Sequence, residues 1–166
     1  MQVPTRKYDK IPRSKPDPAM TEEKYQELSK KLEILKTLKR PREAEEVKRL
    51  ALMGDFSENA GYQLAKSRLR GINQRIIDIE NLLNRAEIIK ASNDKDSVQL
   101  GHKVTVETAN KIKTYKILGS VETNPDVGII SHNSPLGVAL LGCRVGEIIK
   151  VQVANKEKTY KIIGIE

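Results

Sequence analysis

Two carboxylates stand close together in the stretch GDFSENAGY, which runs from Gly54 to Tyr62. Asp55 and Glu58 are three residues apart, and both carry the hard oxygen atoms that Mg²⁺ prefers as ligands. Two such ligands are too few to hold Mg²⁺ firmly, because this ion keeps several waters and usually takes further ligands from a substrate or partner. The pair could therefore assist a metal-dependent hydrolysis only inside a site that another molecule completes.

The same spacing also has a purely structural interpretation. An acid followed three residues later by Glu approximates a capping box, in which Asp55 accepts from first-turn amides and Glu58 reaches back. Ser57 could cap the helix instead, which would leave both acids free. Spacing alone favours capping over chemistry, and the decision depends on where the stretch lies.

The segment before the acids is helical in pattern. Thr21 can cap a first helix, with Glu22 and Glu23 in the first turn, where the helix dipole favours acids. The apolar positions then follow 3-4-3 spacing: Tyr25, Leu28, Leu32 and Leu35. Pro41 lacks a backbone donor and should kink or split the helix. A second apolar register is predicted beyond it, at Ala44, Val47 and Ala51.

The segment after the acids has the clearer pattern. Apolar residues recur at alternating spacings of three and four for more than three heptads: Tyr62, Ala65, Leu69, Ile72, Ile76, Ile79, Leu83 and Ala86. A helix over 57–90 would be on the order of 50 Å long. Two helices joined by a short turn must lie antiparallel. Residues 21–92 are therefore predicted to form a coiled-coil hairpin whose tip, residues 54–59, carries the acids.

Beyond a polar linker, residues 93–100, the pattern changes to strands. The β-branched runs are HKVTVET, KTYKILG, VGIIS, EIIKVQV and KTYKIIGI. Two of them lie in self-similar segments, NKIKTYKILG and NKEKTYKIIG, which indicate two similar strand entries. SPLGVALLG predicts one short helix, with Pro135 near its start and Gly142 at its end. Residues 101–166 are thus predicted to form a small antiparallel sheet with one helix, which makes the chain α+β.

Composition limits the functions that this chain could have. The net charge is +8 over 166 residues, which favours as partner a nucleic acid or a complex that contains one. Six aromatic residues could not line a large apolar pocket, so no small-molecule substrate is expected. Cys143, the single cysteine, is expected to be a small buried side chain, and His102 and His132 belong to no metal-ligand spacing.

The termini and hydropathy predict a cytoplasmic protein with no membrane contact. No run approaches the ~20 apolar residues of a membrane span, and the N-terminus has no apolar core of a secretory signal. Residues 1–20 are predicted to be a flexible basic tail. Its basic residues are Arg6, Lys7, Lys10, Arg13 and Lys15.

Three stretches together resemble one protein family. GDFSENAGYQ, with the following AKSRLRGINQRIIDIENLLNRAEII, resembles the N-terminal hairpin of the Gre family of bacterial transcript-cleavage factors, whose turn typically reads GD-x-x-ENA-x-Y. ISHNSPLGVALLGCRVGEIIKVQV is similar to the family's [DN]SP-x-x-x-A-L-x-G-x-x-x-G-[DE] segment. AMTEEKYQEL resembles the family's usual opening. The resemblance covers about residues 20 to 166 and leaves out the tail.

The resemblance implies an accessory factor, not an enzyme in its own right. Such factors dock on bacterial RNA polymerase through a C-terminal domain with an FKBP-like fold. They pass the hairpin through the secondary channel and stimulate the polymerase active site to cleave backtracked nascent RNA. Asp55 and Glu58 match the acids that help to hold a second Mg²⁺ in the polymerase active site, so no cofactor is expected on the chain alone.

The resemblance also assigns two further groups of residues. Lys66, Arg68 and Arg70 are candidates to meet the RNA 3′ end, although a solvated helix face explains each of them equally well. Asn133, Ser134 and Pro135 match the segment implicated in docking on the polymerase. Gly61 departs from the family pattern, which commonly has an acid before the Tyr, and the family subtype stays open.

Two other functions agree with the same sequence. The first is a non-cleaving regulator that occupies the secondary channel and blocks the polymerase active site. The second is a basic coiled-coil adaptor that binds nucleic acid, in which Asp55 and Glu58 only cap a helix.

Overall fold

The computed structural model describes residues 17–52, 60–90, 95–109, 111–153 and 156–166. They form a helical hairpin followed by a small sheet domain, which confirms the predicted α+β class. The elements in chain order are β1 (Ala19–Met20), α1 (Glu22–Ile34), a π-helical segment (Leu35–Lys39), α2 (Arg40–Ala51), α3 (Ala60–Leu83), β2 (Glu87–Ile88), β3 (Lys103–Thr108), β4 (Lys111–Leu118), two 3-10 turns (Ser120–Glu122 and Pro125–Val127), β5 (Ile129–Ser131), α4 (Pro135–Leu140), β6 (Ile148–Val153) and β7 (Lys156–Ile165).

The first helix begins where its cap was predicted. Thr21 has an extended backbone, and its Oγ1 accepts a hydrogen bond from the Lys24 amide at 3.2 Å. Glu22 and Glu23 occupy the first turn, where their negative charges interact favourably with the positive end of the helix dipole. Of the predicted seam residues, Leu28 and Leu35 are buried.

The break expected at Pro41 is a local change of helix type. The π-helical segment precedes α2, and the Arg40 amide donates to the carbonyl of Leu35, five residues earlier. Pro41 follows in the first turn of α2. A wider turn here accommodates a residue that has no amide to donate and whose ring would crowd the preceding turn.

The register predicted after Pro41 is wrong at one position. Val47 and Ala51 are half-buried as expected, but Ala44 is exposed and Glu43 is half-buried in its place. The spacings 43-47 and 44-47 both satisfy a heptad pattern, so the sequence could not distinguish them. The π-helical segment changes the angular phase of α2 around the helix axis, and with this phase Glu43 points inward in place of Ala44.

The returning helix α3 carries the predicted seam. Ala65, Ile76 and Ile79 are buried, and the other seam positions of α3 are half-buried. The helix ends at Leu83, so the prediction of a helix reaching residue 90 is wrong. After a turn closed by a hydrogen bond from the Ala86 amide to the Leu83 carbonyl, the chain becomes extended at β2.

A short parallel strand pair explains that early end and corrects the predicted tail. Ala19 pairs with Glu87 and Met20 with Ile88, while the Ile89 amide donates to the Met20 carbonyl at 2.8 Å. Met20 is fully buried against Leu28, Ile76 and Ile79 at the base of the hairpin. The tail prediction is therefore wrong for residues 17–20, and residues 1–16 lie outside the described ranges.

The same segment joins the hairpin to the sheet domain. The Thr21 amide and hydroxyl donate to the two carboxylate oxygens of Glu122, at 2.6 and 2.8 Å. Asp17 accepts from the amides of Ala19 and Ser120 and lies 3.1 Å from Nδ1 of His132. We name residues 17–21 the junction segment.

The sheet has the order β5-β4-β3-β7-β6. Neighbouring strands are antiparallel except β4 and β5, which run parallel and so differ from the predicted antiparallel sheet. The reason is that the chain between them contains two 3-10 turns and returns to the same end of the sheet, where a tight hairpin would have reversed it. The most buried side chains of this domain are Val104, Val106, Ile117, Leu140 and Ile162.

Residues 93–100 were predicted to be a linker, and this is wrong near the end of that range. Val98 is 1% exposed and belongs to the sheet-domain core. Its amide donates to the Cys143 carbonyl, and its carbonyl accepts from the Gly142 amide, both at 2.8 Å. Gly142 follows α4 with a φ of +80°, as expected for a glycine that ends a helix.

The contact between the junction segment and the sheet domain predicts the effect of a single methyl group. In Gly119→Ala, the new Cβ would lie 1.7 Å from the carbonyl oxygen of Ala19, so one of the two backbones must move. We expect the free energy of unfolding to fall by about 1–3 kcal/mol, as in overpacked cores. Urea denaturation followed by circular dichroism measures this change.

Gly71→Ala is the matched control, because nothing lies within 4 Å of its added Cβ. Gly71 is inside α3, so alanine should raise the stability by up to about 1 kcal/mol. Equal stability of the two variants would show that the junction segment does not press on Gly119.

Candidate functional site

The hairpin tip lies between the last described residue of one helix and the first of the next. The structure describes the chain to Leu52 and again from Ala60. Asp55 and Glu58 fall between these residues, outside the described part, so their role stays a prediction. Leu52 and Ala60, the described residues on either side, lie at the end of the hairpin opposite the junction segment.

The three basic candidates on α3 do not form one cluster. Lys66, Arg68 and Arg70 are all exposed. Lys66 and Arg70 are four residues apart and therefore share one helix face, whereas Arg68 is offset by roughly 200° from Lys66. The Lys66 ammonium lies 5.7 Å from the centroid of the Tyr62 ring, within cation–π range.

Arg68 lines two depressions along the hairpin that the sequence did not predict. One, of about 690 Å³, also involves Arg42 and Arg49, and the other, of about 570 Å³, involves Lys39 and Arg75. Both also contain acids, among them Glu46, whose pKa is lowered by its hydrogen bond from Arg49 at 2.8 Å. Because the charges are mixed, these depressions are not purely cationic surfaces.

Glu43 lines both of these depressions. Its Oε2 atom is buried and has no hydrogen-bond partner among the residues described. This position could not be identified from the sequence, because the predicted register places Ala44 on the inner side of the helix.

The predicted docking residues form a capped turn. Ser134 Oγ accepts from the Gly137 amide at 3.0 Å and donates to the Ser131 carbonyl at 2.6 Å, so it caps α4. Asn133 and Pro135 are exposed on either side of it. The structure therefore divides the three candidates: Ser134 shapes the turn, while the side chains of Asn133 and Pro135 are exposed.

Cys143 is half-buried and has a structural environment. Its Sγ donates to the Ala139 carbonyl at 3.2 Å. Burial raises the pKa of the thiol, and the nearby Glu147 carboxylate raises it further. A thiol that stays protonated at neutral pH is a poor nucleophile.

The described residues contain neither a metal-binding cluster nor a membrane-spanning helix. Within 17–52, 60–90, 95–109, 111–153 and 156–166, no group of three His, Cys, Asp or Glu side chains is arranged to hold a metal ion. None of the helices in those ranges is both long and apolar enough to span a membrane.

Two family models match the two parts of the chain. The model "Transcription elongation factor, N-terminal" matches residues 19–88, and "Transcription elongation factor, GreA/GreB, C-term" matches residues 93–166. The chain belongs to the GreA/GreB family of transcription elongation factors. This confirms the resemblance that was drawn from the tip and from the segment around Asn133. Residues 1–18 lie outside both matches.

Individual relatives agree with the family models. The chain is 42% identical over 130 residues to transcription elongation factor GreA of Macrococcus caseolyticus, which covers 77% of this chain and 82% of the relative. It is 41% identical over 131 residues to GreA of Thermomicrobium roseum, covering 78% and 84%. Among solved structures, GreA factor homolog 1 (Gfh1) of Thermus thermophilus is 25% identical, with a TM-score of 0.40 over 86% of this chain and 94% of that chain.

The cap formed by Ser134 predicts how the docking residues differ in their effect on stability. Ser134→Ala should lower the free energy of unfolding by about 1 kcal/mol, because the Gly137 amide loses its acceptor. Asn133→Ala should change it by less than about 0.5 kcal/mol, because that side chain is exposed. Thermal unfolding of the two variants makes the comparison, and a larger loss in Asn133→Ala would contradict the assigned roles.

Proposed function

We propose that this chain binds bacterial RNA polymerase, inserts its hairpin through the secondary channel and stimulates cleavage of backtracked nascent RNA by the polymerase active site. Membership of the GreA/GreB family supports this proposal, and so does one observation. In the chain, the stretch with Asp55 and Glu58 joins the two arms of a hairpin whose base is hydrogen-bonded to the sheet domain through Thr21 and Glu122. The protein would act as an accessory factor in the cytoplasm, where the polymerase transcribes.

The length of the hairpin supports a division of labour between its two ends. Helix α3 alone has 24 described residues, which corresponds to about 36 Å. The buried seam of Ala65, Ile76 and Ile79 holds it against the outgoing helices along this length. Chemistry at the tip would therefore take place tens of ångströms from the sheet domain, which is free to bind the outer surface of the partner.

The carboxylates of Asp55 and Glu58 would supply the chemistry at the tip. A second Mg²⁺ ion in the polymerase active site would activate the attacking water and stabilise the oxygen that leaves. The two carboxylates belong to the ligand class that Mg²⁺ prefers, and they would complete its oxygen shell and accept hydrogen bonds from the water. In this proposal the chain holds no cofactor alone, since two ligands are too few.

The described surface offers a place for each of the other two contacts. Asn133 and Pro135, on the turn that Ser134 caps, would dock on the polymerase. Lys66 and Arg70, on one face of α3 near the tip, would contact the extruded RNA 3′ end. Arg68 faces away from that pair and would have a smaller part in RNA contact.

The tip acids can be tested by an isosteric double substitution. Asp55→Asn with Glu58→Gln removes both charges while it keeps side chains that can still cap a helix. We expect it to abolish stimulated cleavage in a stalled, backtracked elongation complex, because neutral amides are much weaker ligands for Mg²⁺. Polymerase affinity, measured in parallel, should be unchanged.

Each alternative function gives a different result in the same assay. Undiminished cleavage with the double variant would remove the catalytic assignment of the acids. A wild-type protein that binds polymerase and inhibits it would identify a non-cleaving regulator of the channel. A wild-type protein that does not bind polymerase, and binds bare RNA in a salt-sensitive way, would identify the adaptor.

The geometry of α3 gives a second test, of the RNA contacts. Lys66→Gln with Arg70→Gln removes two charges from one face, whereas Arg68→Gln with Arg75→Gln removes two charges elsewhere on the same helix. We expect the first pair to reduce the cleavage rate at sub-saturating factor by at least fivefold, and the second by less than twofold. Equal losses would show that the helix contributes only its general charge.

A further inference from the structure

Helix α4 covers only part of the sheet face on which it packs. It has six residues, or about 9 Å of length, whereas β7 has ten residues and spans about 33 Å. Leu140 of α4 is fully buried in the core with Ile117 and Ile162. The part of the same face towards the β3–β4 turn extends beyond this helix.

Strand register shows which side chains occupy the uncovered part. Val106 of β3, which is fully buried, pairs with Lys113 on β4 and with Ile162 on β7. Alternate residues of a strand share a face. Lys111, Lys113 and Tyr115 of β4 and Lys158 and Tyr160 of β7 therefore continue the face of the core.

These side chains line one depression of about 440 Å³, which we name the lysine–tyrosine depression. Its lining includes Lys111, Lys113, Lys158, Tyr115, Tyr160 and Thr108. Its volume lies within the range of small-ligand pockets. The site is therefore large enough for a nucleotide-sized group.

The floor of the depression contains hydrogen-bonding capacity that the fold does not use. Tyr160 is 6% exposed, and within the described part of the chain its hydroxyl has no hydrogen-bond partner. Tyr115 is half-buried and likewise has none; burial and the nearby Tyr160 raise the pKa of its phenol. The Tyr115 hydroxyl therefore stays protonated at neutral pH and can donate. Because neither hydroxyl is itself fully buried, both can donate to the oxygen atoms of a ligand in the depression.

Three of the four charged side chains around the depression are positive. The ammonium groups of Lys111, Lys113 and Lys158 form no salt bridge with any described residue. The acid at the rim, Glu157, lies 3.5 Å from Lys150 on the neighbouring strand. Like charges on one sheet face repel each other. A multivalent anion would relieve this repulsion and accept from the tyrosine hydroxyls at the same time.

We propose that the lysine–tyrosine depression binds the phosphate group of a nucleotide or of single-stranded RNA. A phosphate offers several strong acceptor oxygens to the three ammonium groups and two hydroxyls. Tyr160 is buried and Tyr115 is half-buried, so their rings form the floor of the depression and the proposed contacts are made to the phosphate and not to the base. This inference does not depend on polymerase binding.

The lysine–tyrosine depression lies far from the turn of Asn133, Ser134 and Pro135, the predicted docking residues, which we name the docking turn. Leu118 pairs with Ser131, so the turn with Asn133 lies at the opposite end of β4 from Lys111. Seven residue steps along β4 separate Lys111 from Leu118, or about 23 Å. A ligand in the depression would leave the docking turn accessible.

The test uses the full chain and a fluorescein-labelled eight-nucleotide RNA, followed by fluorescence anisotropy at low salt. All proteins carry Lys66→Gln and Arg70→Gln, so that these two residues do not contribute to RNA binding. In this background, Lys113→Gln with Lys158→Gln should weaken binding at least tenfold. It should also reduce the slope of log affinity against log salt by about 1.4, as expected for two lost phosphate contacts.

The matched control removes two lysines from the outer face of the same sheet. Lys103 and Lys161 are exposed and alternate with buried neighbours, so they project away from the depression. Lys103→Gln with Lys161→Gln should weaken binding less than twofold. Tyr160→Phe, which removes only the hydroxyl, should weaken binding several-fold, and thermal unfolding verifies that each variant is folded.

Competition with unlabelled ATP identifies the source of the phosphate. Displacement of the RNA by millimolar ATP would assign the site to free nucleotides as well as RNA, and a lack of displacement would assign it to RNA. Equal weakening by the inner-face and outer-face pairs would overturn the proposal. So would a protein that binds neither probe at 100 μM or below.

Discussion

The carboxylate of Glu122 holds both the amide and the hydroxyl of Thr21, and the joining of the two parts of the molecule depends on this interaction. The same Thr21 hydroxyl accepts from the Lys24 amide and so begins α1. One residue earlier, Met20 fills the core at the base of the hairpin. The start of the first helix, the core beneath it and the attachment to the sheet domain are therefore parts of one local structure. A hairpin anchored in this way has a defined direction relative to the domain that carries the docking turn.

Much of the fold could be predicted because its signals are local. The cap at Thr21, the seam of α3, the strands of the sheet and the short helix after Ser134 each depend on a few neighbouring residues. The errors fall where distant segments decide the structure. Pairing of Ala19–Met20 with Glu87–Ile88 ended α3 early and ordered the last residues of the predicted tail. The parallel pairing of β4 with β5 depends on the path between them, and no alternation pattern encodes that path.

The candidate site residues divide in the same way. Asp55 and Glu58 are predicted from their spacing, their place between two helical patterns and a family resemblance. The sequence pattern around Ser134 does not show that this residue supports a turn, or that Asn133 and Pro135 are exposed on it. The similarity of NKIKTYKILG and NKEKTYKIIG was visible in the sequence, but its meaning was not. Only the strand order shows that both segments flank β3, which brings Lys113 and Lys158 to one side of the sheet.

The π-helical segment Leu35–Lys39 has a consequence for the orientation of everything beyond it. Each residue of an α-helix advances the chain by about 100° around the axis. A turn that closes five residues back holds one residue more than an α-helical turn, so it resets the angular phase of α2 relative to α1. The side of the hairpin on which Glu43 and Val47 lie is therefore determined by a residue count in this segment. Within a family, a gain or loss of one residue here would rotate the distal half of the arm while the base stays unchanged.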